Sequence, residues 1–197
     1  SNPVSQEGTN ITSTSFDANW VVVFGSTGYK LDVSATSDFS TFVSGYEDRS
    51  VSGISESVTG LDPASLYYYR VRSENASGVS GDSDSESVLT TPATPVSLAA
   101  SNIDQVSFMA NWNSVAGVTN YVIDVSTADD FSSFVAGYKN LSVNETFKVV
   151  DGLSQGTTYY YRVKSENGSG TSESSETQSA LTIPGAPEVL SATDILE

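Results

Sequence analysis

Histidine and cysteine are both absent from this 197-residue chain, and methionine occurs once. Without imidazole or thiol the chain lacks the commonest general base, the cysteine nucleophile and most transition-metal ligands. No disulfide can form, so the redox compartment is not legible and each folded unit must hold together by core packing. Basic residues are scarce, with 8 Lys and Arg against 24 Asp and Glu and a formal charge of −16. Such a surface repels phosphate backbones and anionic lipid, which argues against nucleic acid or a membrane surface as partner. No apolar run approaches the length of a membrane span. Sustained i, i+3, i+4 apolar spacing is missing too, so helix is not expected.

What is present is a repeat. Displacing the sequence by 92 positions aligns residues 3–92 with 95–184 without a gap and gives 45 identities in 90 pairs. A fixed period marks each copy as one structural unit, and about 90 residues can bury a single modest core. The expected organisation is residues 1–92, residues 93–184, and a tail at 185–197. In that tail Leu190, Ala192 and Ile195 repeat Leu98, Ala100 and Ile103, as if a third unit begins. Ser1-Asn2 and Leu196-Glu197 read as vector-derived, and the opening residues do not read as a secretory leader. The net charge divides as −8, −5 and −3 over the three segments.

Prolines punctuate the junctions, at Pro92-Ala93-Thr94-Pro95 and Pro184-Gly185-Ala186-Pro187. Two fixed φ angles in so short a connection predict a semi-rigid spacer. Within each copy, short alternating runs separated by turn residues predict an all-β sandwich or barrel. Phe16, Ala18 and Trp20 alternate with Asp17 and Asn19, and Tyr29, Leu31 and Val33 with Lys30 and Asp32. A weaker strand is expected around Phe42–Tyr46, another around Val58, and a last one near residues 85–90. Between them lies the run the chain spells twice, Leu66-Tyr67-Tyr68-Tyr69-Arg70-Val71-Arg72 and Thr158-Tyr159-Tyr160-Tyr161-Arg162-Val163-Lys164. Tyr67, Tyr69 and Val71 should face inward, and Tyr68, Arg70 and Arg72 outward.

These residues carry a resemblance. A Trp on the second strand (Trp20, Trp112), a Leu six residues before a Tyr that opens the sixth (Leu61 and Tyr67, Leu153 and Tyr159), and the absence of Cys resemble the fibronectin type III domain, in tandem. The Leu-to-Tyr element matches the tyrosine corner. The resemblance covers both copies and implies two seven-stranded, immunoglobulin-like β-sandwiches with Trp20, Trp112, Leu61, Tyr67, Leu153 and Tyr159 as core. Phe-Val-x-Gly-Tyr (Phe42–Tyr46, Phe134–Tyr138) with Tyr-Tyr-Tyr-Arg-Val is similar to domains of secreted multidomain bacterial proteins. Where the family's integrin-binding loop carries Arg-Gly-Asp, this chain has Asn75-Ala76-Ser77-Gly78 and Asn167-Gly168-Ser169-Gly170, so integrin recognition is not implied.

For chemistry the sequence offers candidates, each with a plainer reading. Paired carboxylates could serve glycoside hydrolysis, but the acids fall on outward positions and turns with nothing to raise a pKa by burial, so the chain reads as a non-enzyme with no cofactor. Calcium takes oxygen ligands only, and Asp82, Asp84 and Glu86, or Asp129-Asp130, are the candidate set. Acids that protect an edge strand are the favoured reading. Tyr68, Arg70, Tyr160 and Arg162 form a candidate ligand face for a polysaccharide or a surface protein. A cross-strand ladder with Tyr over the stems of Lys30 or Asp32 is favoured there. Phe39, Phe42 and Tyr46 could line a groove, but should fill the mouth of the core. Five Asn-x-Ser/Thr triplets start at Asn10, Asn75, Asn140, Asn144 and Asn167, the second and last in turns that want Asn for backbone reasons.

Together these readings predict a structural spacer and interaction module of a secreted or cell-surface protein, monomeric as this piece, with neighbouring domains of its own polypeptide as partners. A strand of about eight residues spans roughly 26 Å, so two units in file would reach on the order of 60–70 Å. A carbohydrate-binding or adhesive unit is one alternative. A filament or surface-layer subunit that adds the strand at 187–195 to a neighbouring molecule is the other.

Overall fold

In the computed structural model, which describes residues 1–187, every regular element is a strand. Hydrogen-bonded ladders sort the strands into two units, each with two sheets. The first contains β1 (Ser5–Thr9), β2 (Ser15–Trp20), β3 (Gly28–Ser34), β4 (Arg49–Val51), β5 (Ser55–Thr59), β6 (Leu66–Asn75), β7 (Gly78–Val79) and β8 (Glu86–Leu89). One sheet has the order β1-β2-β5; the other runs β4-β3-β6-β7, with β8 also on β6. The second unit repeats this with β9 (Ser97–Ser101), β10 (Phe108–Trp112), β11 (Asn120–Ser126), β12 (Leu141–Val143), β13 (Phe147–Val150), β14 (Thr158–Asn167), β15 (Gly170–Thr171) and β16 (Gln178–Leu181). Its sheets are β13-β10-β9 and β12-β11-β14-β15, with β16 on β14.

The period-two alternation explains the layering. Phe16, Ala18, Trp20 and Val58 project from the three-stranded sheet, and Tyr29, Leu31, Val33, Tyr67, Tyr69 and Val71 from the other, into one buried cluster. Rings meet across the sheets: Phe16 and Tyr69 have centroids 5.7 Å apart, and Trp20 and Tyr29 5.5 Å. Phe108 and Tyr161 repeat the first pair at 5.8 Å. Fully burying an aromatic or aliphatic side chain stabilises by about 1.5–3 kcal/mol, so a dozen such side chains can hold a unit that has no disulfide.

Two expectations need correction. Residues 42–46 form a turn rather than a strand, with Tyr46 N–H donating to Val43 O and Gly45 at φ +83°. The ladder on β3 is made instead by Arg49–Val51, opposite Tyr29, Lys30 and Leu31. An aromatic run misleads here because Tyr46 turns its ring into the core and bonds β5 with its hydroxyl, accepting from Thr59 N (2.9 Å) and donating to Ser57 O (3.2 Å).

The seventh strand is also broken in two. β7 pairs with Glu74 and Asn75 and β8 with Leu66–Tyr69 of β6. Between them serines stitch the edge: Ser80 and Ser83 N–H donate to Ser73 and Val71 O. Their hydroxyls accept from Ser73 and Val71 N–H at 3.0 Å each. Ser172 and Ser175 do the same for Ser165 and Val163. Side-chain oxygens thus take the place of ladder carbonyls, and buried N–H groups stay satisfied.

Candidate functional site

The outward face of each five-stranded sheet is where the sequence places a ligand face, and the register decides what meets there. Across β3 and β6, Asp32 lies opposite Arg70, Lys30 opposite Arg72, and Ser34 opposite Tyr68. Tyr68 therefore stands between Ser34 and Ser87, its neighbour on β8, and not over Lys30 or Asp32. Tyr68 and Tyr160 are both half-buried.

Asp32 is only 1 % exposed and Asp124 5 %, which overturns the expectation that every acid is outward and solvated. The segment between β3 and β4 folds back over the sheet and covers the carboxylate. Asp48 N–H donates to Asp32 Oδ1 at 2.8 Å, Arg70 Nε reaches Asp32 Oδ2 at 3.0 Å, and Arg72 Nη2 lies 3.0 and 2.9 Å from the two oxygens. Arg72 also meets Asp48 at 2.6 Å, and Asp82 lies 3.2 Å from Arg70 Nη1 and 3.3 Å from Arg72 Nε. Two guanidiniums and three carboxylates thus interlock. A buried carboxylate is tolerable because charged donors surround it.

Above the pair sits Phe39, its ring centroid 4.3 Å from the Arg70 guanidinium carbon, in a cation–π contact. Phe39 therefore packs on the outer face instead of at the mouth of the core. It holds φ at +55°, a left-handed conformation unusual for a bulky side chain. The turn that imposes this is tied at both ends: Ser34 Oγ accepts from Thr36 N–H, Phe39 N–H donates to Thr36 O, and Asp38 Oδ1 accepts from Ser40 N–H. Hydrogen bonds from Thr36 and Ser40 hold the Asp38 carboxyl below its usual range.

The second unit keeps the kernel and drops the periphery. Arg162 Nε meets Asp124 Oδ2 at 3.1 Å, Asn140 N–H donates to Asp124 Oδ1 at 2.8 Å, and Phe131 lies over Arg162 at 4.0 Å with φ +58°. Lys164, Asn140 and Ser174 occupy the positions of Arg72, Asp48 and Asp82. Nothing in the sequence pattern alone announced the stacked Phe, although Asp38-Phe39-Ser40 recurs as Asp130-Phe131-Ser132. That repeated loop triplet was the available signal.

Chemically the face is committed to itself. Arg70 is held through Nε and Nη1 by Asp32 and Asp82, and Arg162 through Nε by Asp124, each with a ring above. Asp82, the head of the calcium candidate set, is drawn to the arginines. Among the described residues no three or more acidic side chains converge as a metal site.

The buried phenols are bonded to backbone. Tyr67 and Tyr159 hydroxyls accept from Asp62 and Ser154 N–H at 2.9 Å, which forms the two tyrosine corners. Tyr29 and Tyr121 accept from Val23 and Val115 N–H. Tyr69 and Tyr161 donate across the sandwich to Gln6 and Leu98 O. Burial pushes Tyr69 up to about 12 and raises Tyr161 and Tyr138 as well. Trp20, Trp112, Leu61 and Leu153 are buried. Of the Asn-x-Ser/Thr sites, Asn75 closes its turn by accepting from Ser77 N–H, Asn10 donates to Asp17, and Asn144 is exposed between β12 and β13.

With this geometry in place, likeness to known proteins can be weighed. The model of the family described as Fibronectin type III domain matches residues 93–180. The chain is 29% identical over 175 residues, 89% of its length, to mouse Fibronectin type III domain-containing protein 7. It is 30% identical over 136 residues to chicken M-protein, striated muscle, and 29% to human Myomesin-2. It spans 22% of the length of the mouse protein and 9% of each of the other two. Among solved structures, chicken CNTN1 FN1–FN3 domains match 93% of this chain, and 67% of theirs, with TM-score 0.52 and 16% identity. A two fibronectin type-III domain segment from chicken tenascin matches 92% of this chain and 100% of its own, with TM-score 0.50 and 18% identity. Likeness at this identity fixes the fold: two sandwiches of the fibronectin type III kind, in tandem.

Proposed function

We propose that this chain is a non-catalytic spacer within a larger secreted or cell-surface protein, and that both its halves, including residues 1–92, are fibronectin type III domains. Its partners on this reading are the neighbouring domains of the same polypeptide. The observation that carries the reading is the commitment of the polar groups. Arg70 and Arg162 are paired with buried carboxylates and capped by rings, so two of the four side chains of the candidate ligand face are used in holding the sandwich. Its relatives support a modular role, because the chain spans only 22% and 9% of their lengths.

The rival reading, a carbohydrate-binding or adhesive face at Tyr68, Arg70, Tyr160 and Arg162, makes a different prediction on a polysaccharide array. The spacer reading expects no signal above an inert acidic control. Binding that disappears in Tyr68→Ala/Tyr160→Ala, with the unfolding temperature unchanged, would replace it. The filament alternative rested on the segment 187–195, which past Pro187 lies outside the described residues.

A further inference from the structure

Each three-stranded sheet ends in a strand with one neighbour, β5 in the first unit and β13 in the second. Trp112 N–H donates to Thr146 O. Bonded pairs alternate from there, so Lys148 and Val150 exchange ladder bonds with Ala110 and Phe108. The N–H and C=O groups of Phe147 and Val149 therefore point away from β10, along the rim of the sheet. Such a row is a template for any extended chain. In the first unit the Tyr46 hydroxyl covers part of the equivalent row, bonding Ser57 O and Thr59 N–H. In the second unit Tyr138 bonds Asp151 N–H and donates to the Asp151 carboxylate instead, which leaves Val149 O uncovered. With Phe147, Val149 and Val150, β13 is also the more strand-prone of the two edges.

One side chain stands against that invitation. Lys148 lies between Phe147 and Val149 and opposite Ala110, which is fully buried, so it leaves the edge strand on the core side. It is half-buried, and among the described residues no acid pairs with it. In the first unit Glu56 stands opposite the buried Ala18 on the same side of β5, held by Arg49 at 2.9 Å. The position of Arg49 is taken by Leu141 in the second unit. Sign and partner thus differ between the two units, while a charge on the core side of the edge is common to both. A lone ammonium is tolerable there because its stem lies along apolar surface and its tip reaches water past the rim. A strand docked on Phe147 and Val149 would close that exit. The ammonium would be left buried and unpaired, at a cost greater than a few ladder bonds return.

We propose that Lys148 is a gate on the open edge of the second unit, which keeps β13 from pairing with a strand of a second copy of this chain. What the gate requires is a charge at this position, of either sign.

Sedimentation equilibrium of the full chain from about 20 μM to about 1 mM, joined to amide exchange, tests this. The parent chain and Lys148→Glu should stay monomeric. Lys148→Val should associate, its apparent mass rising toward a dimer. Exchange at Phe147 and Val149 N–H should then slow by about tenfold or more, and less at Lys148 and Val150, which β10 already holds. Lys148→Val/Val149→Pro removes a donor from the free row and should return the chain to monomer. A retained thermal transition in each variant separates edge pairing from misfolding. A Lys148→Val chain that stays monomeric to the highest concentration overturns the proposal, as does association that Lys148→Glu shares or that the proline leaves intact. Neither result bears on the spacer reading, which requires no self-contact.

Discussion

The ion-pair kernels of the two units differ in how many charged donors hold the buried carboxylate, and that difference sets a measurable gap in stability. Asp32→Asn keeps the volume and removes the charge. In the first unit it takes the buried carboxylate from Arg70 and Arg72 together, which keep Asp48 and Asp82 at the surface; in the second, Asp124→Asn takes it from Arg162. Hydrogen bonds to charged groups contribute about 1.5–3 kcal/mol each, and breaking a fully buried pair costs about 3–5. The arginine side chains keep 22–30% of their exposure, and Asp48 and Asp82 still face Arg70 and Arg72, so the charges left behind are screened and the lower end applies. The expected losses are about 2–3 kcal/mol for Asp32→Asn and about 1–2 for Asp124→Asn. Each unit has one buried tryptophan, so Trp112→Phe leaves Trp20 reporting on the first unit, and Trp20→Phe does the converse. With a urea slope of about 1 kcal/mol/M, the midpoint should fall by about 2–3 M in the first unit and by less in the second. Equal shifts, or an unmoved midpoint for Asp32→Asn, would refute the claim that the doubled cation holds this carboxylate.

Other outcomes follow from the same geometry. Tyr67→Phe and Tyr159→Phe strand the Asp62 and Ser154 N–H groups and should each cost about 1–2 kcal/mol, read by the same urea midpoints. Ser83→Ala should cost a similar amount by leaving Val71 N–H without its acceptor, and amide exchange at Val71 should quicken more than at Tyr69. Phe39→Gly should be no less stable than Phe39→Ala, because both lose the ring and only glycine accepts φ near +55° freely; a clearly worse glycine variant would mean that the left-handed backbone carries no strain. Tyr69 has a folded-state pKa of about 12 against 10.0 unfolded. Its proton is held more tightly in the native state, so the stability it adds is present below pH 10 and is lost as pH rises toward 12. Alkaline unfolding should accelerate across that window and become shallower in Tyr69→Phe.

Much of the architecture could be read from the chain because its cause is local. Alternation in Phe16-Asp17-Ala18-Asn19-Trp20 and in the Tyr-Tyr-Tyr-Arg-Val run assigns each side chain a face, and burial follows from that assignment. The corner tyrosines were legible through the family resemblance that Leu61 and Tyr67, and Leu153 and Tyr159, carry. What escaped was non-local. Asp32 alternates like any outward residue, and only the return of residues 36–48 over the sheet encloses it. Phe39 and Tyr46 lie in one loop with similar neighbours, yet one stacks on an outer arginine and the other enters the core. That choice depends on Arg70 and β5, both remote in sequence. The stitched seventh strand was hidden because serine reads as a turn residue, and its hydroxyl service to Val71 and Ser73 is visible only with the partner strand in place.

That stitched edge bears on how tandem repeats avoid confusing themselves. Neighbours with half their residues in common are prone to exchange strands while folding, each offering the other a near-copy of its own missing piece. An intruder approaching the outer side of the seventh strand finds two residues of regular backbone, then an irregular stretch whose Asp82 and Asp84 carbonyls already accept from Asn2 and Ser5, and then four residues. The usual strand needs about five or six in an unbroken row. Zippering therefore stalls after a few rungs, and the interruption lets near-twins be strung in series with little risk of fusing into a fibril.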